Sequence, residues 1–231
     1  SGEWENSDYY LADIYVQDLA CLTTAFSQGT FSGSAATVRE MFDSVEGGIV
    51  AMNGDYYSLH YYGPVIRNGV VYVDHVSRDW DLAVLLTSGE LLTYPYRTLT
   101  KDALAEMSVY QTWVFGPALL DDEGHAKTKF RSAVQATNPR SVLGYFEPGH
   151  YAFLVVDGRT KASEGLTMEQ LSQLCEDLGF LRAYNLDGGR SSILISTDGF
   201  VNDPYRGGRT SSDIVAVREL PEPEQQTTDI E

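Results

Sequence analysis

The 231-residue chain carries 16 basic and 33 acidic side chains, a net charge of −17, on an ordinary globular composition of 43% hydrophobic and 21% charged residues. Such acidity without a basic stripe argues against nucleic acid and anionic bilayers as partners. No apolar run reaches the roughly 18 residues of a membrane span, so no membrane insertion is expected. The two cysteines, Cys21 in an apolar strand pattern and Cys175 on the apolar face of a helix, have no CxxC or CxxH neighbour. That argues against zinc and suits two buried free thiols, with a disulfide left open. The length suffices for one large core.

Residues 1–8 form a lead-in whose Ser1-Gly2 resembles a scar of tag removal. Residues 9–26 contain two strands joined at Gln17-Asp18. Thr37-Val38-Arg39-Glu40 is a capping box, and Val38, Met41, Phe42 and Val45 make one helical stripe ended by Gly47-Gly48. An apolar strand, 49–52, then runs into Asn53-Gly54-Asp55. Asn-Gly is a hairpin signal, but the aromatic residues after it make no clean return strand. Residues 64–73 are a better hairpin, with Asn68-Gly69 as the turn and Arg67 at a strand end. A strand over 82–87 turns at Ser88-Gly89-Glu90 into Leu91, and Thr100 starts a short helix through about Met107. Residues 113–120 suggest a strand interrupted at Gly116-Pro117, hence an edge or bulge. Strands are expected over 142–147 and 151–156, followed by a helix from the capping box at Thr167 to Gly179, with Leu171, Leu174, Cys175 and Leu178 facing inward. Two further strands, 181–186 and 193–195, flank a polar turn, and a last strand covers 214–217. The tail 219–231 is acidic, Pro-containing and expected to be disordered. With no repeat or internal linker, the expectation is an α+β single domain over 9–218. It would hold a central twisted mixed, mostly antiparallel sheet with two or three helices packed on it. The fifteen tyrosines fit half-buried sheet positions, and His60, His75, His125 and His150 fit the surface.

The most chemically loaded stretch is Asn185-Leu186-Asp187-Gly188-Gly189-Arg190-Ser191-Ser192. Adjacent glycines let backbone N–H groups converge into an anion-binding nest, and the two serines add hydroxyl donors. Asp187 at a strand end fits an acid, a base or a metal ligand. The bland alternative is a hairpin tip, since Asp-Gly is a common turn. Other strand ends repeat the pattern: Asn53 and Asp55, Arg67, Asn138 and Arg140, Asp157 and Arg159, and Arg209 with Ser212 and Asp213. Six such clusters suggest one polar site at a sheet rim. Arginines favour phosphate or carboxylate, and carboxylates beside them suit cleavage of a glycosidic or phosphoester bond. No GxSxG, HExxH, Walker or Rossmann pattern is present.

In order along 9–218, Asn53-Gly54-Asp55-Tyr56-Tyr57, Gly63-Pro64-Val65-Ile66-Arg67-Asn68-Gly69, Phe115-Gly116-Pro117, Asn138-Pro139-Arg140-Ser141, Asp157-Gly158-Arg159, Asn185-Leu186-Asp187-Gly188-Gly189 and Arg209-Thr210-Ser211-Ser212-Asp213 resemble the phosphodiester glycosidase domain. This is the family of the lysosomal uncovering enzyme and of bacterial proteins labelled as exopolysaccharide-biosynthesis proteins. The resemblance implies hydrolysis of a sugar-1-phosphodiester at the sugar C1–O bond. It also implies a bacterial, secreted or surface-anchored protein acting on envelope or polysaccharide material.

On this resemblance, Arg67, Arg140 and Arg159 are expected to hold the phosphodiester, with Ser191, Ser192 and the Gly188 and Gly189 amides completing the anion site. Asp187, with Asp55 or Asp157, would supply the catalytic carboxylates. Asn53, Asn138, Asn185, Arg190, Arg209, Ser212 and Asp213 complete the expected substrate-binding set. No cofactor is required, although Asn and Asp clusters fit a divalent cation. The family usually has a third glycine where Arg190 stands. A non-glycine there is strained if φ must be positive, and otherwise either crowds the pocket or adds a cation for the phosphate. Two other functions fit the same residues: a metal-dependent phosphodiesterase, and a surface module that binds phosphorylated glycans without cutting them.

Overall fold

A computed structural model describes residues 1–58, 63–76 and 79–221. In chain order its elements are β1 (Gly2–Trp4), β2 (Ser7–Tyr15), β3 (Leu22–Phe26), α1 (Val38–Asp43), β4 (Gly48–Asn53), β5 (Val65–Arg67), β6 (Val70–Val73), β7 (Leu82–Leu86), β8 (Leu91–Tyr94), α2 (Lys101–Ala105), β9 (Val109–Trp113), β10 (Arg140–Glu147), β11 (His150–Val156), α3 (Met168–Asp177), β12 (Arg182–Asn185), β13 (Leu194–Ser196), β14 (Gly199–Phe200) and β15 (Asp213–Arg218). The α+β class holds, but the strands divide among several sheets instead of one central sheet. Two have five strands, in the orders β1-β2-β11-β10-β12 and β14-β13-β4-β15-β3; β8-β7-β9 and the hairpin β5-β6 complete the set. The pairings within them are antiparallel.

Strand alternation builds the core. On β11, Tyr151, Phe153 and Val155 face the second sheet, where they join Leu22, Met52, Leu194 and Val215. Ala152, Leu154 and Val156 face the other way, against Leu171, Leu174 and Cys175 of α3. β15 does the same: Val215 and Val217 point into the inter-sheet core, and Ile214 and Ala216 meet Val38, Met41 and Phe42 of α1. Both large sheets are therefore covered on both faces, which is why β11 is apolar without a break. The capping boxes at Thr37 and Thr167 form as expected, and Asn68 and Gly69, both at positive φ, turn the β5–β6 hairpin.

Several local expectations change. β12 and β13 belong to different sheets, so the stretch between them is a crossover between the sheets and not a hairpin tip. The strand expected over 113–120 ends at Trp113; beyond Gly116-Pro117, which is cis, only single bridges form at Ala118 and Leu120. Residues 1–8 are part of the fold: β1 pairs with β2, and Trp4 packs on the α3-side core. Cys21 ends a 3-10 turn (Leu19–Cys21) and not a strand; both cysteines are free, and burial raises the Cys175 thiol far above its ordinary value. Residues 59–62 (with His60), 77–78 and 222–231 lie outside the described residues.

Register brings the polar strand ends together. Arg140 at the start of β10 is opposite Val156 at the end of β11, and Asn185 at the end of β12 is opposite Val142. In the second sheet, Asn53 at the end of β4 is opposite Ile214. The Ser141 hydroxyl donates to Asn53 Oδ1 at 2.8 Å and so joins the two sheets at this edge.

Candidate active site

At that edge lies a cavity of about 290 Å³ lined by Phe115, Val134, Asn138, Arg140, Arg159, Asp187, Gly188, Gly189, Arg190 and Arg209. Among the described residues four arginines and one carboxylate line it, so the lining is strongly cationic in a chain of net charge −17.

Asp187 is held from three sides. Its Oδ1 accepts from its neighbour's Gly188 N–H at 3.0 Å. Its Oδ2 accepts from Ser191 Oγ at 2.5 Å and from Arg209 Nη2 at 2.6 Å. Arg209 Nε also donates to Ser191 Oγ at 2.5 Å, closing a small ring of Asp, Ser and Arg. Behind it, buried Asn53 donates from Nδ2 to the Asp187 carbonyl at 2.7 Å, which fixes the backbone beneath the carboxylate.

Arg140 is buried, and among the described residues it forms no ion pair. Its guanidinium donates to the carbonyls of Leu166 (2.9 Å), Val134 (2.9 Å) and Ala136 (2.6 Å). Burial first, and then the neighbouring Arg159 charge, push its pKa down to about 10. A cation destabilised by burial and by a like charge gains most from an added anion. Arg159 is exposed and rests on Asn138 Oδ1 through Nε (3.1 Å) and Nη2 (2.6 Å). Arg190 stands exposed at the cavity wall, its Nη2 donating to the Gly208 carbonyl at 2.7 Å.

Gly188 and Gly189 line the cavity, but not as the expected nest. The Gly188 N–H goes to Asp187 Oδ1, and the Gly189 N–H to the Pro139 carbonyl at 2.9 Å. Their role is steric. A Cβ on Gly188 would stand 2.9 Å from the Pro139 carbonyl oxygen, and one on Gly189, at φ 66°, 3.0 Å from Arg159 Nη2. The positive φ belongs to Gly189 and not to Arg190, so Arg190 carries no backbone strain.

Other expected site residues lie elsewhere. Arg67 is not a phosphate ligand in this geometry: fully buried, it donates from Nη2 to Asp55 Oδ1 (2.9 Å), from Nε to Asp213 Oδ2 (2.8 Å), and to the Ile66 and Thr112 carbonyls. Burial alone would lower its pKa, but Asp55 and Asp213 carry it above its ordinary value. Asp55 is spent in this triad and on the Val114 N–H, so it does not face the cavity as a second carboxylate. Asp157 is also enclosed, accepting from Asn202 Nδ2 at 2.7 Å and from the Asp203 N–H at 2.9 Å, and burial raises its pKa. Ser212 pairs with Ser58 at 2.5 Å, Asn185 donates to the Gly116 carbonyl, and Ser192 is buried behind the cavity wall. Phe115 and Val134 line the cavity without a chemical signature in sequence; only the neighbourhood of the Phe-Gly-Pro motif pointed toward Phe115. Among the described residues no three His, Cys, Asp or Glu side chains are grouped to hold a metal ion.

Taken together, the cavity at the edge of two stacked antiparallel sheets sets four arginines around one carboxylate, an arrangement that could hold an anion beside an acid or base. The family model "Phosphodiester glycosidase" matches residues 46–218, and the chain belongs to that family. The fold is similar to the zebrafish N-acetylglucosamine-1-phosphodiester alpha-N-acetylglucosaminidase catalytic domain, auto-inhibited by its pro-peptide. The TM-score is 0.74 at 20% identity, over 93% of this chain and 83% of that one. A hypothetical protein from Synechocystis matches with a TM-score of 0.62 at 14% identity, over 94% of this chain and 61% of that one. Among curated proteins, the SPbeta prophage-derived uncharacterized protein YomE of Bacillus subtilis (strain 168) is 27% identical over 151 residues. That match covers 61% of this chain but only 23% of YomE.

Proposed function

We propose that this phosphodiester glycosidase family member hydrolyses the sugar C1–O bond of a sugar-1-phosphodiester of the N-acetylglucosamine-1-phosphodiester type. It would act outside the cell or at its surface, on envelope or extracellular polysaccharide material. The observation that carries the reading is the cavity itself: Arg140, Arg159, Arg190 and Arg209 around the single carboxylate of Asp187. Arg140 and Arg159 hold the phosphodiester. As the C1–O bond breaks, the phosphomonoester leaves with the electron pair and stays bound to the arginines. Asp187 faces the cation that develops at C1; water adds there and gives its proton to the Asp187 carboxylate, from which it passes to solvent, leaving free sugar. A phosphate leaving group needs little protonation, so one carboxylate suffices where ordinary glycosidases use two.

Product analysis on an N-acetylglucosamine-1-phosphodiester tests this directly. Free sugar plus phosphomonoester is expected. In Asp187→Asn, release should fall by at least about a thousandfold, with the melting temperature within a few degrees of wild type. Full activity in that variant would remove Asp187 from the mechanism. Sugar-1-phosphate among the products, with loss of activity on chelation, would instead mark a metal-dependent phosphodiesterase. A module that binds phosphorylated glycans without cutting them is favoured by one observation: among the described residues a single carboxylate, Asp187, lines the cavity. Affinity without turnover would establish it.

A further inference from the structure

Tyr56 has φ 54°, the left-handed region that bulky side chains rarely adopt. Its neighbours hold it there. On one side Asp55 is locked between Arg67 and the Val114 N–H, and the Gly54 N–H donates to the Asp213 carbonyl at 3.0 Å. On the other side Tyr57 is buried, stacks on Phe31 at 4.9 Å between ring centroids, and donates its hydroxyl to the Phe31 carbonyl at 2.6 Å. The backbone cannot relax at Tyr56 without pulling on one of these anchors.

What the strained conformation achieves is a ring under Arg209. The Arg209 guanidinium carbon lies 5.2 Å from the Tyr56 ring centroid. The Arg209 side chain is 40% exposed, and without a platform it would sample many rotamers. Instead it reaches both Asp187 Oδ2 and Ser191 Oγ. Strain of this kind, when a buried framework over-determines it, is a mark of function.

We infer that Tyr56 is a positioning residue, whose ring face holds the Arg209 guanidinium on Asp187 and Ser191. The inference about turnover rests on the reaction proposed above; the contact itself does not. Three substitutions separate ring, bulk and strain: Tyr56→Phe, Tyr56→Leu and Tyr56→Gly. The phenylalanine variant should keep wild-type kcat. The leucine and glycine variants should lose about tenfold or more in kcat with KM changed less than about threefold. Tyr56→Gly should also melt at or above the wild-type temperature, because glycine adopts φ 54° without strain. A merely structural residue would not combine unchanged or higher stability with lower kcat. Full activity in Tyr56→Gly, or failure of Tyr56→Phe, would overturn the inference. A readout independent of turnover is a double-mutant cycle of Tyr56→Leu and Arg209→Met on urea midpoints. Non-additivity supports the contact even if no sugar-1-phosphodiester is cleaved, and additivity overturns it.

Discussion

Asp213 illustrates how a residue can carry every mark of a site and serve the framework. It follows an Arg-Thr-Ser-Ser run, yet it sits fully buried against Arg67, with Asp55 as a second carboxylate on the same guanidinium. One arginine balances one of the two. Burial first, and then Asp55, outweigh Arg67 and raise the Asp213 pKa from 3.8 to about 6. The native state therefore binds the extra proton between about pH 4 and 6, where the unfolded chain has already released it. Stability should fall as pH rises through that window and level off above it, by up to about 3 kcal/mol. Urea unfolding at pH 4, 5, 6 and 7 measures this, and Asp213→Asn should flatten the slope. The same spot makes Gly54 obligatory, since a Cβ there would lie 2.1 Å from Asp213 Oδ1. Gly54→Ala should cost about 3 kcal/mol or more by prying the buried ion triad apart, read as a drop in denaturation midpoint. Arg190 is simpler: strain is absent, and it remains an added cation at the cavity wall.

Elements differ in how much of them could be read locally. The α3 helix was fully legible because its signals lie within one turn of its ends: Thr167 accepts from the Gln170 N–H while Gln170 caps the Thr167 N–H. Thr167→Ala should destabilise the protein by about 1 kcal/mol, a few degrees in melting temperature at most, without affecting the site. The hairpin turning at Asn68-Gly69 was legible for the same reason. The crossover from β12 to β13 was not. An Asp-Gly-Gly turn between two short apolar runs has the same local pattern whether the runs pair with each other or with separate sheets. What settles it comes from afar: Asn53 donates to the Asp187 carbonyl from 134 positions away, and the Leu186 N–H donates to the Ser141 carbonyl on β10, the strand beside β12 in the other sheet. Arg67 was misplaced for a related reason: an arginine at a strand end looks the same facing an anion in a cavity or two aspartates in the core.

Across the whole molecule, the net charge of −17 repels anions at long range, whereas the cavity concentrates four arginines. The cavity contribution is local and partly buried, so it resists salt better than the surface field does. Inorganic phosphate or pyrophosphate at millimolar concentration should therefore raise the melting temperature by binding only the native state. Arg159→Gln should weaken that shift, because Arg159 is exposed and its loss removes a cavity cation without unfolding the protein. Thermal melts with and without the anion check both.

By itself the sequence determined the helices, most strands and the α+β class, because caps, turns and alternation act over a few residues. It also marked Asn138, Arg140, Arg159, Asp187, Gly188, Gly189, Arg190 and Arg209, which do gather around one cavity. The tertiary structure alone decided the division into several sheets, with the two five-stranded ones stacked. It also decided that Arg67 is buried between Asp55 and Asp213 in the core, and that the Gly188 and Gly189 N–H groups are taken up by Asp187 Oδ1 and the Pro139 carbonyl. Those outcomes depend on which distant partner meets a buried charge or N–H group, and the cost of leaving such a group unpaired is settled only when the sheets pack.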